Sequence, residues 1–185
     1  MVACEKSLAA TPPMGWNSWD SFGTTITETE FKAATDWFAE HLKPFGWQYV
    51  VVDEAWTIIN PVPQGNAKDS QYTLDSNGRY IPALNRFPSA GGGAGFKPLA
   101  DYVHSLGLKF GFHILRGIPK KAVEKNFPIA GSTFTASDAA NTSDTCPWNF
   151  DNYGIKDSPA GQAYYDSIAN LYASWGADFI KVDCI

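Results

Sequence analysis

Cysteine is scarce in this sequence of 185 residues: there are three, Cys4, Cys146 and Cys184, and no CxxC pair. An odd, widely spaced set cannot build a small disulfide scaffold and offers no zinc-ligand spacing, so no structural metal is expected. Basic residues are also few, 14 Lys+Arg against 19 Asp+Glu, with a net charge of −5 and no basic run. Binding a phosphate backbone or an anionic lipid begins with clustered Lys and Arg, so neither nucleic acid nor membrane is an expected partner. No apolar stretch is long enough to span a bilayer, and the opening MVACEKSLAAT lacks the basic start and apolar run of a signal peptide. A phosphate loop is missing too: Gly91-Gly92-Gly93-Ala94-Gly95 follows no strand pattern and lacks a Lys-Ser/Thr ending, which predicts a flexible surface turn. What is plentiful is apolar and aromatic: 44% hydrophobic residues, enough for one sizeable core, with 7 Trp, 8 Tyr and 12 Phe. Aromatic faces edged by polar groups suit stacking on sugar rings.

Three segments carry apolar residues at three- and four-residue steps and read as helices. The first opens on Thr27-Glu28-Thr29-Glu30, a capping-box spacing, and sets Phe31, Ala34, Phe38 and Leu42 on one stripe before Pro44 and Gly46. A second carries Leu99, Tyr102, Val103 and Leu106 and stops at Gly107; a third starts at Ser158-Pro159 and runs to Gly176. After each comes a nearly continuous apolar run: Tyr49 to Asp53, Leu108 to Leu115, Asp178 to Asp183. Runs without alternation mark strands buried on both faces, as in parallel sheets. With Met14 to Trp19 as a first strand, the pattern is four βα units, in either a barrel or an open doubly wound sheet. The missing phosphate loop favours the barrel. Long polar connections over about 55–95 and 116–157 are expected to wall a cleft. A complete eight-stranded barrel needs about 250 residues, so the sequence is read as the first half of one.

Polar residues fall at the carboxyl ends of these strands: Asp53-Glu54, His113 with Arg116, and Asp183, with Lys181 two residues before it and therefore on the same face. A cation beside a carboxylate keeps it ionised, as a nucleophilic carboxylate must be; a structural ion pair at a strand end is the competing reading. Asp53-Glu54 beside Trp56 offers two carboxylates and an indole, a combination that grips vicinal hydroxyls, against the plainer reading of a solvated loop start. His113 on a strand is as consistent with a satisfied core residue as with a catalyst.

Four motifs then occur in order: Thr11-Pro12-Pro13-Met14-Gly15-Trp16-Asn17-Ser18-Trp19; Val52-Asp53-Glu54-Ala55-Trp56; Gly78-Arg79-Tyr80 followed by Arg86-Phe87-Pro88-Ser89; and Ile180-Lys181-Val182-Asp183-Cys184. Together they resemble the α-galactosidase/melibiase family, glycoside hydrolase family 27, from about residue 11 onward. The resemblance implies a (β/α)8 TIM barrel, usually followed by a C-terminal β-sandwich, and a retaining mechanism without metal or cofactor. It makes residues 1–10 an N-terminal tail and 11–185 the first four βα units of the catalytic domain, whose missing C-terminal half would be this chain's natural partner. By the same resemblance Asp183 is the nucleophile, Lys181 a sugar-binding lysine, Trp19 an aromatic wall, and Asp53 and Glu54 the carboxylates on the galactose hydroxyls; His113, Arg116 and Cys146 are further substrate-binding candidates. The acid/base would come from a later strand, so none is assigned here.

The chain departs from the family pattern at three places. Glu54 stands where Asp is common, His113 where Tyr is common, and Cys184 follows the nucleophile directly instead of after one residue. One extra methylene at Glu54 would crowd a hydroxymethyl group, which makes β-L-arabinopyranosides the alternative to α-galactosides as substrates. Cys146 and Cys184 are candidate disulfide partners, with two unpaired thiols as the alternative; the family and that bridge favour a secreted or periplasmic location. Asn141-Thr142-Ser143 fits a glycosylation sequon, a pattern common by chance. Two other classes compete: a non-catalytic carbohydrate-binding remnant, and a phosphate-binding barrel isomerase or aldolase, which would want a neutral Lys where Lys181 stands beside a carboxylate.

Overall fold

Short runs such as Tyr49-Val50-Val51-Val52 have no polar face to turn to water, so they become strands only where helices or other side chains cover both sides. The computed structural model describes residues 11–63 and 70–185; Cys4 and the tail expected over 1–10 lie outside the described residues. In chain order the elements are β1 (Gly15–Asn17), α1 (Trp19–Phe22), α2 (Glu28–His41), β2 (Tyr49–Val52), α3 (Lys97–Ser105), β3 (Lys109–Leu115) and β4 (Ile118–Pro119). Then follow α4 (Lys120–Glu124), α5 (Ala136–Ala139), β5 (Ala140–Thr145), β6 (Asn152–Ile155), α6 (Pro159–Ser174) and β7 (Phe179–Asp183).

Four strands form a parallel sheet in the order β1-β2-β3-β7. Its register pairs Val51 with Gly111, Gly111 with Phe179, and His113 with Lys181. One face is the core: Val50, Val52, Phe110 and Phe112 are fully buried beneath α2, α3 and α6. Aromatic rings fill the layer between sheet and helices, Phe96 on Phe112 at 5.3 Å and Phe112 on Tyr172 at 5.0 Å, in tilted and edge-on geometries that suit ring quadrupoles. The opposite face carries Tyr49 and Phe179, whose rings meet at 5.5 Å, and, further toward the carboxyl ends, His113 and Lys181.

The helix boundaries follow their caps. Thr27 and Glu30 close the expected capping box on α2, and Ser158 accepts from the Gly161 N–H at the start of α6, with Pro159 at the first position. Strand one is shorter than expected: β1 ends at Asn17, whose Oδ1 takes the Trp19 N–H at 2.8 Å and turns the chain into α1, so Trp19 sits on a helical turn past the strand. The connection over 116–157 is not a bare loop. It folds into an antiparallel sheet β4-β6-β5 with α4 and α5, invisible in the pattern because its strands are two to six residues long and β5 is mostly polar (Ala-Asn-Thr-Ser-Asp-Thr). The glycine segment also differs. Pro88–Gly93 forms two 3-10 turns kinked at Gly91 and Gly92, and Gly95 is buried against the Trp175 indole, where a Cβ would lie 2.1 Å from the ring.

Candidate active site

Parallel strands in register bring the same row of each strand to the same height. Asp53, one residue past β2, His113 of β3 and Lys181 of β7 form one such row, and Asp183 lies two residues above Lys181 on the same face. The side chains meet there. Lys181 Nζ donates to Asp53 Oδ2 at 2.8 Å and lies 3.9 Å from Asp183 Oδ2, while His113 Nε2 is 3.4 Å from that same oxygen. The other oxygen, Asp183 Oδ1, accepts the Cys184 N–H at 2.8 Å. The Asp183 side chain is 41% exposed, whereas Asp53 is buried at 1%.

Asp53 is held from several directions. Its N–H donates to Ser18 Oγ at 2.9 Å, and its Oδ1 accepts the Glu54 N–H at 2.7 Å. Burial pushes its carboxyl up, but the Lys181 ammonium, the Glu54 N–H, His113 and Asn17 outweigh that and hold it below the usual carboxylate range. At Glu54 the balance runs the other way. Burial first, then the charges of Asp53, Asp183 and Asp151, push it up to about 7, with Lys181 opposing. Burial lowers His113 against the pull of Asp53 and Asp183, which leaves a neutral imidazole near pH 7. Neighbouring carboxyls with opposed shifts mark a site where proton position matters.

The backbone is bent at the same two places. Ala55 and Cys184 adopt left-handed φ values of 69° and 62°, each directly after a carboxylate of the cluster. Such a conformation costs a non-glycine residue about 1–2 kcal/mol, and here it redirects the chain as it leaves the strand. The disulfide between Cys146 and Cys184 joins the turn after Asp183 to the segment beyond β5. Arg116 works beside it. Its guanidinium grips Asp144 through Nη1 at 2.5 Å and Nη2 at 2.9 Å, and its Nε donates to the Cys184 carbonyl. All three Arg116 nitrogens therefore face protein, and Cys146 contributes a bridged sulfur to the wall. Trp19, 38% exposed, follows β1 at the same carboxyl end.

Sequence reasoning passed over Asn149 and Asp151, which share a small pocket with Glu54, Tyr80 and His113. Trp148-Asn149-Phe150-Asp151 alternates between exposed and inward residues, a period-two signal too short to distinguish from loop composition. Among the described residues no group of three or more His, Cys, Asp or Glu is placed to hold a metal ion, and no helix is long and apolar enough to cross a membrane.

A parallel βα sheet with carboxylates, a lysine and a histidine gathered at its carboxyl edge places the chain among the α/β folds, whose sites sit at that edge. The chain belongs to the Melibiase_2 family (Alpha galactosidase A), whose model matches residues 11–153, within glycoside hydrolase family 27. Among curated relatives it is 33% identical over 180 residues to an alpha-galactosidase of Cyamopsis tetragonoloba, covering 97% of this chain and 31% of that one. It is 32% identical over 179 residues to alpha-galactosidase A of Cellvibrio japonicus, covering 96% of this chain and 31% of that one. Among solved structures it matches a family-27 β-L-arabinopyranosidase of Geobacillus stearothermophilus with a TM-score of 0.93 and 54% identity, over 95% of this chain and 41% of that one. A variant of that enzyme in complex with arabinose gives 0.92 and 53%, with the same coverage. The chain thus spans about a third of the length of the curated relatives it matches.

Proposed function

We propose that this chain is the first half of a (β/α)8 barrel and carries the nucleophile side of a retaining glycosidase acting on terminal galacto-configured pyranosides, with β-L-arabinopyranosides preferred over α-D-galactosides. The observation that carries it is the Asp53–Lys181–Asp183–His113 cluster at the strand ends. Asp183 is the open carboxylate of that cluster, with two nitrogens near its Oδ2 and the Cys184 N–H donating to its Oδ1. In the proposed reaction an Asp183 oxygen attacks the anomeric carbon as the glycosidic C–O bond breaks, giving a glycosyl-enzyme and an alcohol; water then releases the sugar and restores the carboxylate. Protonation of the leaving oxygen needs a second carboxyl about 5–5.5 Å away, assigned here to the half of the barrel that this chain does not contain.

Preference for arabinopyranoside is supported by Glu54, which is buried beside Asp53 and carries one methylene more than the family's usual Asp. The higher identity to the Geobacillus arabinopyranosidase points the same way, while the curated relatives keep α-galactoside as the second reading.

The test is turnover of the two nitrophenyl glycosides by the chain extended to a complete barrel, beside the 185-residue chain and the Asp183→Asn variant of the extended form. The extended protein should hydrolyse the arabinopyranoside faster, with the anomeric configuration retained in the first product seen by NMR, and Asp183→Asn should lose about 10³-fold or more, the scale expected when a nucleophile is removed. Activity surviving Asp183→Asn, or full activity in the short chain, would overturn the assignment.

A further inference from the structure

The Arg86-Phe87-Pro88-Ser89 motif takes no part in the chemistry above. Its arginine is 5% exposed, and among the described residues no carboxylate forms an ion pair with it. Backbone carbonyls take that place, divided by nitrogen. Nη1 donates to the carbonyls of Ala55 at 2.6 Å and Ile58 at 3.2 Å, both in the turn that follows Asp53-Glu54. Nη2 donates to the carbonyls of Thr24 at 2.7 Å and Ile26 at 2.6 Å, both between α1 and α2. Nε is buried without a partner, so the guanidinium is oriented toward the two loops and leaves its own third nitrogen unmet.

We propose that Arg86 is a positioning residue of the sugar site: it clamps the segment after β1, which carries Trp19, to the turn after β2, which carries Asp53 and Glu54, and so fixes the spacing of the groups that hold the sugar. This rests on the sugar-site reading given above. The clamp acts through the backbone on both sides. Ala55 directly follows Glu54 and holds a left-handed φ of 69°, a conformation that persists where the surroundings over-determine it; its carbonyl accepts both Arg86 Nη1 and the Ile58 N–H, the latter at 2.9 Å. On the other side, Gly23 closes α1 by donating its N–H to the Trp19 carbonyl at 2.7 Å, and Thr24 is the next residue.

Neighbouring bonds seat the same junction. The Arg86 carbonyl accepts the Glu28 N–H at 2.9 Å, the Ala83 N–H donates to the Trp56 carbonyl at 3.0 Å, and Thr24 Oγ1 donates to the Val62 carbonyl at 2.5 Å. At the strand ends the Asp53 N–H donates to Ser18 Oγ at 2.9 Å, so the two segments are tied both where they leave the sheet and where they turn back. A buried charge without a counter-charge is a weak source of stability. A planar fork with two nitrogens at fixed separation is instead suited to holding two backbone segments in one geometry, which the single ammonium of a lysine cannot reproduce.

The experiment uses the chain extended to a complete barrel, with Arg86→Lys and Arg86→Met variants, and reads two quantities: amide hydrogen exchange by mass spectrometry, and KM and kcat for the two nitrophenyl glycosides. Exchange over 24–28 and 54–58 should speed up about tenfold or more in both variants, while 110–112 in the core of β3 keeps its wild-type protection. KM for the arabinopyranoside should rise about tenfold and kcat should change by less than about threefold, because Asp183, Lys181 and His113 are placed by β3 and β7. Preference over the α-galactoside should narrow as Glu54 loses its fixed place, with Arg86→Lys closer to wild type than Arg86→Met. Faster exchange throughout strands and loops alike, or failure of both variants to fold, would make Arg86 a residue of stability alone and overturn the proposal, as would loosened loops with KM and preference unchanged. If the extended wild type hydrolyses neither glycoside, the glycosidase reading fails, and exchange in the two loops still decides whether Arg86 clamps them.

Discussion

Glu54 is the residue at which geometry, electrostatics and substrate choice converge. Shortening it by one methylene keeps the carboxyl beside Asp53 but opens space toward the exocyclic carbon of a bound sugar. Glu54→Asp should therefore shift the ratio of kcat/KM values toward the α-galactoside by about 1–3 kcal/mol; an unchanged ratio of the two nitrophenyl glycosides would sink the steric explanation. The same side chain also makes stability depend on pH. A carboxyl raised from 4.5 to about 7 on folding binds its proton more tightly in the native state, so the folded protein holds more protons than the unfolded one between those values. Stability contributed by this group is then full below about pH 4.5 and falls as pH rises to about 7, by about 3 kcal/mol. Asp53 runs the other way: its carboxyl is depressed, so its contribution is present at neutral pH and lost as pH falls through its folded value. Melting wild type and Glu54→Gln from pH 5 to 8 separates the two, because the gap in Tm should widen in favour of Gln as pH rises. A gap that stays constant across that range would show that Glu54 is not protonated in the folded state.

At the scale of elements, the parallel strands and their helices were legible because each carries enough residues to show its period. Phe31 and Phe38 face the sheet as the three- and four-residue steps require, and Val50, Val52, Phe110 and Phe112 are the buried runs. Asp53, His113 and Asp183 could be placed at strand ends because the apolar runs stop there, and alternation put Lys181 on the face of Asp183, although their mutual distances could not be read. The insert β4-β6-β5 was hidden because antiparallel pairing of two- to six-residue polar strands is decided by partners distant in sequence, as when Ile118 finds Tyr153. Gly95 was misread for a related reason: glycine composition says nothing of what lies above it. Its φ of +56° and the 2.1 Å approach of the Trp175 ring make it a packing glycine, where an added methyl must displace an indole that itself packs on Phe96, Phe112 and Tyr172. Gly95→Ala should cost about 2–4 kcal/mol from overpacking and left-handed strain together, while Gly92→Ala, exposed and with open space around its Cβ, should cost only the strain. Equal denaturation midpoints for the two variants would return the segment to the surface turn that composition implies.

On the scale of the molecule, the parallel sheet and the antiparallel insert are tied together at the turn that follows Asp183. The Cys146–Cys184 bridge closes a span of 38 residues that contains β6, α6 and β7, and Arg116 adds a second tie by holding both Asp144 and the Cys184 carbonyl. The turn that presents Asp183 is thus fixed to the segment that carries Asn149 and Asp151, so the pocket lined by Glu54, His113, Asn149 and Asp151 keeps its shape only if sheet and insert stay in register. Cross-linking a loop of this length restricts the unfolded chain by about 4 kcal/mol, which for a domain of this size corresponds to a Tm change of roughly 10 °C. The Cys146→Ser, Cys184→Ser double variant should lose about that much stability. Its catalytic loss in the extended enzyme should be larger for KM than for kcat, because Asp183 keeps Lys181 and His113 while the Asn149–Asp151 wall is released. Identical melting curves with and without reductant would show both thiols free and leave the registry of sheet and insert to Arg116 alone.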